Sequence, residues 1–512
     1  MNYVDNLVIG AGICGTYLAS RQSILTPNET ILLVDKMDNY GGNMINYHIP
    51  DSNITIEYGP IRFFKSIHLR TAYLVEKYNL PLTEYIPSST NQIIYLRDKI
   101  FTPNNVFPSS DTVYNIRPDE IGVNPFEVLD FNLNKYIKNL DNIYLFDKRI
   151  ELYKDVFLSS VTFKDLAQGN LSEENWQRIN DIVGYDDLFT LRGSFLPLAL
   201  ENLILTNKST IQYRLTNGFA TLPSSIANSN GFRVVNYDDF NNNSFECNKN
   251  ITLFNTAILH IERDYSLNKW KVIIGKVRVN TPEKINYTPV DIKIIYADKI
   301  YSTIPVQYLI TVHNFQNYYK NLIANEFQNV ALSRFYIMFE EDWMLKNNIG
   351  FGKSVSTLDG GQFIHYDYKI LQIYAASSFA TKFIGLLPPG GQIQKELVPP
   401  NQTNQELVNA LLESIKLTYG INDLPKVTGI SYCVWKSCAK LLVNRNLQTC
   451  EFTSLYNTII NFMYPYGMQG NFYVVENAIS FNNGWTEGSL EIVDLLFNQL
   501  YNEPLFGEVL IK

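Results

Sequence analysis

The run Gly10-Ala11-Gly12-Ile13-Cys14-Gly15 stands between an apolar stretch, VDNLVI at 4–9, and a segment of helical character. Glycines at this spacing suit a pyrophosphate. The first permits a tight turn, the second lets backbone N–H groups approach the phosphates, and the third lets strand and helix pack closely. A second apolar stretch, ILLVD at 31–35, ends in Asp35, which is placed to accept hydrogen bonds from both hydroxyls of an adenosine ribose. An acid at that place disfavours a 2′-phosphate. Lys36 follows, and then Gly41-Gly42-Asn43. A glycine pair so soon after the acidic strand end points to a flavin dinucleotide more than a nicotinamide one, because the chain must wrap the pyrophosphate again. Far along the chain, a helix starting near Thr486 would aim unsatisfied N–H groups and a positive dipole end at whatever precedes it. Reduced flavin carries negative charge at N1 and O2, which such a helix would stabilise.

These residues need a β-α-β opening to position them: strand 4–9, a helix from about Gly12 to Gln22, and strand 31–35. The pattern predicts a helix over 66–80 and a hairpin over 92–102. From about Asp119 to Leu205 apolar residues recur at helical spacing, as in FEVLDFNLNKYIKNL and SEENWQRINDIVGYDDLF, and a helical insertion is expected. Residues 211–215 and 251–303 return to strand alternation, with an antiparallel set at ITLFNTAILHIERD and WKVIIGKVRV. A mixed region, 331–439, carries strands such as QIYAASSF and a helix near 405–418, and 472–501 reads as strand, glycine turn and helix. A chain of 512 residues exceeds one core. The expectation is interleaved domains, with 1–65, 210–330 and 440–512 binding the cofactor, 66–118 and 331–439 binding substrate, and 119–209 forming a helical domain.

Composition narrows the function. A content of 46% hydrophobic and 18% charged residues is globular, and a net charge of −8 without a basic block argues against nucleic acid. No segment approaches the ~18 consecutive apolar residues that span a bilayer, so no membrane partner is expected. The start, MNYVDNLVIG, runs directly into a strand without a basic leader. The cysteines at 14, 247, 433, 438 and 450 have neither disulfide-framework nor metal-ligand spacing. No metal and a cytoplasmic, reduced compartment are the expectations.

At this point a resemblance becomes explicit. The glycine motif, Asp35 and Gly41-Gly42 resemble the opening of the flavin amine oxidase superfamily. Further matches follow in order. Asn217-Gly218-Phe219-Ala220-Thr221-Leu222-Pro223 resembles the family's Gly-Gly-Met segment. Thr256-Ala257-Ile258 resembles the strand whose backbone clips the adenine. Ala297-Asp298-Lys299-Ile300 and Thr303-Ile304-Pro305 resemble the strand and turn near the isoalloxazine. Glu476-Asn477-Ala478 and Gly484-Trp485-Thr486-Glu487-Gly488 resemble the terminal signature, with Glu476 an acceptor for ribityl hydroxyls. The fold implied is α/β, a Rossmann-like FAD-binding domain of the amine-oxidase type with a mixed-sheet substrate domain and a helical insertion.

Within that family, Glu57-Tyr58-Gly59-Pro60-Ile61-Arg62 looks like the Gly-Pro-Met-Arg segment of L-amino-acid oxidases, where the arginine clamps the substrate carboxylate. A planar guanidinium suits that task. The alternative is a helix-start arginine that faces solvent or bridges an acid. Gly484 and Trp485 resemble the glycine that receives the amine and the tryptophan that walls the pocket; Trp485 read alone is equally a core residue. Tyr366 lies where the family often has a tyrosine over the carboxylate, and His365 beside it reads as packed or surface. The resemblance implies non-covalent FAD, an amine or amino-acid substrate and O2 as partners, and it is compatible with a homodimer. A polyamine or monoamine oxidase and a flavin-binding structural protein are the other readings. Departures are plain. The arginines flanking the glycine pair are replaced by Met37 or Asn39 and Asn43, and Val475 replaces a glycine before Glu476. The lysine that holds a water against flavin N5 falls, ten residues before Trp343, on Ser333 beside Arg334. The insertion contains no histidine.

Overall fold

The apolar runs of the opening unit fold as their pattern predicts. β1 (Asn2–Ile9) and β2 (Ile31–Val34) pair in parallel, Asn6 opposite Ile31 and Ile9 opposite Val34, and α1 (Ile13–Leu25) connects them. β2 is buried along its whole length, which is why it reads as a continuous apolar run. The computed structural model describes residues 2–85, 91–128, 168–169, 171–183, 211–246, 248–277, 289–358, 361–367, 369–387, 392–442, 452–480 and 484–504.

β1 and β2 sit inside a sheet ordered Arg233–Val234, Asn250–Leu253, β2, β1, Pro289–Ser302, Lys269–Val277, Thr256–Asp264, and Phe472–Val474 pairs with Pro289–Ser302 in parallel. The expected antiparallel set is its far side, where Thr256–Asp264, Lys269–Val277 and Pro289–Ser302 run as a meander. A second sheet is ordered Ile393–Val398, Val427–Leu442, Phe327–Phe339, Ile370–Ala376, Gly361–Asp367, Gly352–Ser356, Ile94–Leu96, Lys99–Phe101, and its last two strands are the hairpin expected over 92–102.

Period-two alternation gives the second sheet two working faces. From the strand Phe327–Phe339, Phe335, Ile337 and Phe339 enter an apolar core with Leu407, Leu411 and Ile415 of the helix Gln405–Tyr419. Tyr336 enters a different cluster with Tyr58, Ile61, Tyr85 and Tyr366. The second face is therefore the one turned toward the Glu57–Arg62 segment. QIYAASSF is not all strand. The strand ends at Ala376 and a helix, Ser377–Ile384, follows, because Phe379, Ala380 and Phe383 pack at helical spacing against the first face. Of the helical insertion, the helix Glu173–Val183 is described; FEVLDFNLNKYIKNL beyond Val128 and GYDDLF lie outside the described residues. No helix among the described residues is long and apolar enough to cross a membrane.

α2 (Leu69–Lys77) lacks a side-chain cap from its own N-cap residue, His68. Glu487, in the first turn of the helix Thr486–Tyr501, supplies one from across the chain. Its Oε1 accepts from the Arg70 N–H at 3.0 Å and from Arg70 Nη1 at 3.2 Å. Its Oε2 accepts from the Thr71 N–H and hydroxyl, each at 2.9 Å. Arg70 Nε also donates to Asp494 at 2.6 Å, and Asp494 is shared with Tyr17 and Arg21 of α1. All of Arg70, Glu487 and Asp494 are buried. Glu487→Ala would leave a buried guanidinium with one carboxylate fewer and two N–H groups without an acceptor. A loss of about 3–5 kcal/mol in urea unfolding is expected. A loss below about 1 kcal/mol would mean that this junction is replaceable by water or surface contacts.

Candidate cofactor and substrate site

The turn after β1 is closed to side chains. Gly10 has φ +104°, and a Cβ there would lie 2.6 Å from Thr303 Oγ1. A Cβ on Gly15 would lie 1.8 Å from the Gly10 carbonyl oxygen, so α1 and β1 can meet only with glycine at that position. The second glycine pair comes back to the first. Gly12 bridges to Gly41, the Gly41 N–H donates to the Ala11 carbonyl at 3.0 Å, and a Cβ on Gly42 would lie 3.1 Å from the Gly12 Cα. Two bare stretches of backbone thus lie side by side at the start of α1, whose N-cap, Gly12, has no side-chain cap.

Asp35 is buried, not solvent-adjacent as its strand-end position suggests. One carboxylate oxygen accepts from the Ala11 N–H at 2.6 Å and the other from the Met37 N–H at 2.8 Å. It ties the glycine turn to β2 and keeps a lone pair on each oxygen. Burial raises its pKa, against these hydrogen bonds and the charge of Lys36. Lys36 lies over the Tyr308 ring, its centroid 5.4 Å from Nζ, and burial lowers its pKa. Asn255 and Thr256 donate to the carbonyls of Met37 and Asp35, which sets Thr256-Ala257-Ile258 beside the end of β2; Ile258 is half-buried next to a bulge. The Asn43 side chain is exposed, and its carbonyl explains Gly59, whose Cβ would come within 2.1 Å of that oxygen.

At the far end, Gly484 has φ +84° and its N–H donates to Asn477 Oδ1 at 2.9 Å, while Asn477 Nδ2 donates to the Trp485 carbonyl at 2.8 Å. The Trp485 ring packs on His68, centroids 4.4 Å apart, and on Phe64 at 5.8 Å. Trp485 Nε1 and Thr486 Oγ1 are buried without hydrogen-bond partners among the described residues. Such atoms are costly unless a ligand satisfies them. Trp485 is also the N-cap of the last helix and gives it no side-chain cap. The backbone cradle at one end and these orphaned groups at the other fit a long dinucleotide. Glu476 has an additional duty, accepting the Val306 N–H at 3.1 Å at the start of the helix Val306–Val312. Val475 is buried, and its carbonyl accepts from Cys14.

The segment Glu57–Arg62 is gripped from the second sheet. Arg334 donates to the carbonyls of Glu57 and Gly59, and the Tyr336 hydroxyl donates to the Glu57 carbonyl. Glu57 Oε1 accepts the Phe219 N–H at 2.6 Å, joining this segment to Asn217–Pro223. Beyond Pro60 and the buried Ile61, Arg62 lies half-buried over the Tyr85 ring, 5.4 Å from its centroid. No carboxylate pairs with it among the described residues. Tyr366 reaches the same apolar cluster as Tyr85 and Ile61. Its side chain is buried, and its hydroxyl donates to the Thr55 carbonyl. Ser333 is turned away, its hydroxyl on the Ala375 carbonyl, while Arg334 occupies the face toward Glu57. Neither supplies an amine there. His365 is packed, stacked on Phe351 at 4.3 Å.

Two groups were not singled out from sequence. Lys353, in the strand Gly352–Ser356, is within electrostatic reach of Arg62. Arg214 lies 5.9 Å from the Tyr366 ring centroid. Both are single basic residues in alternating strands, and only cross-strand pairing reveals which way they face.

Residues 8–76 match the model of an NAD(P)-binding Rossmann-like domain. The chain is similar to an uncharacterised protein of Acanthamoeba polyphaga mimivirus, 21% identical over 526 residues and covering 97% of this chain and 94% of that one. Achacin of Lissachatina fulica is 23% identical over 549 residues, 97% and 93% covered. An L-amino-acid oxidase of Naja atra is 22% identical over 226 residues, 43% and 42% covered. Wild-type putrescine oxidase bound to putrescine superposes with a TM-score of 0.63 over 98% of this chain and 99% of that one, at 11% identity. The chain thus has the fold of putrescine oxidase, opened by a Rossmann-like domain. That fold accounts for the two glycine runs meeting at one cradle and for the packing of the helix Thr486–Tyr501 against α1. This chain's own features are the uncharged residues around the glycine pair and Ser333 on the face away from Glu57.

Glu57 offers a test of the site's electrostatics. Burial pushes its carboxyl up from 4.5 to about 8, against the Phe219 N–H and the charges of Arg334 and Arg214. A raised folded-state pKa means that its stabilising contribution is full below the ordinary carboxylate range and is lost as pH rises to about 8. Glu57→Gln should flatten the fall in unfolding free energy between those limits. An unchanged pH profile would show that Glu57 is ionised throughout.

Proposed function

We propose that this protein is an FAD-dependent oxidoreductase that oxidises the C–N bond of a primary amine, with L-amino acids as the substrate class. The product is an imine, hydrolysed to a keto acid and ammonia, and O2 is reduced to H2O2. Residues 1–65, 210–330 and 440–512 would form the cofactor domain, 66–118 and 331–439 the substrate domain, and 119–209 the helical domain. Gly10, Gly12, Gly15, Gly41 and Gly42 would bare the backbone for the pyrophosphate, with Asp35 toward the ribose and the Thr486 helix toward the flavin ring. FAD held there would supply a two-electron acceptor for the Cα hydride, with O2 as the final oxidant.

The observation that carries the amino-acid reading is Arg62, a half-buried guanidinium without a carboxylate partner among the described residues. A cation so placed is costly in the free protein and is relieved by an anionic ligand. Its segment is held rigidly by Arg334, Tyr336 and Glu57, so it can orient a carboxylate while Gly484 and Trp485 border the amine. A polyamine site calls for acidic walls. The charged groups facing Tyr366 here include Arg214, Arg334 and Glu57, whose carboxyl burial pushes up to about 8. Arg62 and Lys353 lie near the Tyr85 side of the same cluster.

Arg62→Ala should lower kcat/KM for amino acids by roughly 30-fold or more while FAD content stays near wild type. Arg62→Lys should recover only part of the loss, since a point charge lacks the bidentate fork. Anaerobic flavin reduction is the readout, because it separates substrate oxidation from the reoxidation that the missing lysine would serve. Reduction by amines but never by amino acids would favour the polyamine or monoamine reading. Reduction by neither would favour a flavin-binding protein without catalysis.

A further inference from the structure

Lys353 opposes Ile364 across the antiparallel pair of Gly352–Ser356 with Gly361–Asp367. Residues directly opposite share a face, so Lys353 lies with Gln362, Ile364 and Tyr366. Tyr366 shares its apolar cluster with Tyr85, and Arg62 lies over the Tyr85 ring. Two cations therefore approach one another at the substrate end of the site. Burial and the Arg62 charge together bring the Lys353 ammonium down from 10.5 to about 8.

A structural duty does not account for this lysine. Its Nζ lies 3.5 Å from the Val183 carbonyl at the end of the helix Glu173–Val183, but Gln362 Nε2 already donates to that oxygen at 3.2 Å. Nor do Glu174 and Asp181 of that helix turn to it. Glu174 pairs with Arg97, and Asp181 accepts from Tyr114 and Gln177. Among the described residues no acid pairs with either cation, and two partly desolvated cations repel each other until an anion arrives.

Resting on the amino-acid reading above, we propose that Arg62 and Lys353 form a two-cation subsite and that the substrate is an α-amino acid whose side chain carries a second carboxylate. Arg62 takes one carboxylate and Lys353 the other. The side-chain carboxylate then sets the distance between the fixed α-carbon and the strand Gly352–Ser356.

The test is calorimetric binding of glutarate and pentanoate, a dicarboxylate and a monocarboxylate of equal chain length, to the FAD-loaded protein at pH 7. Wild type should bind glutarate about tenfold or more tighter than pentanoate. Lys353→Met should abolish that preference and Lys353→Arg should keep it, with pentanoate as the control that needs only Arg62. Equal affinities in the wild type, or a preference that survives Lys353→Met, would overturn the subsite and leave the Arg62 clamp standing. Should Lys353→Met fail to fold, the wild-type ratio still decides, with Lys353→Arg as its check. If Arg62→Ala weakens neither acid, the amino-acid reading itself has failed.

Discussion

Glu487 spends both carboxylate oxygens on the first turn of α2, and the remaining architecture of the site depends on that junction. It binds a residue 417 positions away, so it joins the end of the described chain to the stretch just beyond Arg62. A carboxylate buried this deeply is tolerable only when every lone pair finds a donor, and Arg70 and Thr71 supply four. The geometry leaves little slack. The same arrangement places Trp485 against His68 and points the start of the last helix toward the cradle, while Asp494 draws α1 into the network through Tyr17 and Arg21. Cradle, helix dipole and Arg62 segment are thereby set by one connected set of buried charges.

A second junction acts on the other side of Arg62. The carbonyls of Glu57 and Gly59 face a sheet that could have left them unpaired, and Arg334 and Tyr336 satisfy them. Arg334 is thus spent on backbone, whereas Arg62 has no carboxylate partner among the described residues. Glu57 complements this by staying neutral: a charged carboxylate there would compete for the cations around Tyr366. Under the proposed function, these basic side chains beside a backbone cradle would hold an anion and orient an α-carbon.

Much of the cradle was legible because each glycine has a steric task visible from spacing alone. Gly10, Gly15 and the Gly41-Gly42 return would each collide with backbone or Thr303 if they carried a Cβ. Strand assignments in the first sheet held for the same reason, since β2 is buried on both faces and its run is unbroken. Facing was far less legible. Counting ten back from Trp343 reaches Ser333, but a count carries no information about which face a strand residue occupies, and one step reverses it. The partner of the Tyr366 hydroxyl, the Thr55 carbonyl 311 residues earlier, could not be read from its neighbours in sequence. Lys353 sits unremarked in GKSVS until pairing with Gly361–Asp367 shows its neighbours. Glu487 reads as an ordinary first-turn acid, and only the tertiary fold supplies Arg70.

The central claim is that the joined glycine runs and the start of the last helix hold one intact flavin dinucleotide without a covalent bond. Acid denaturation of the purified protein, followed by chromatography of the released chromophore, tests it most directly. The account predicts a yellow protein that yields free FAD in the supernatant and a colourless precipitate. Partial occupancy after dialysis would agree with a cradle whose flanking residues are Met37, Asn39 and Asn43 and not arginine. A colourless protein that cannot be loaded with added FAD, or a chromophore that stays with the precipitate, would contradict it.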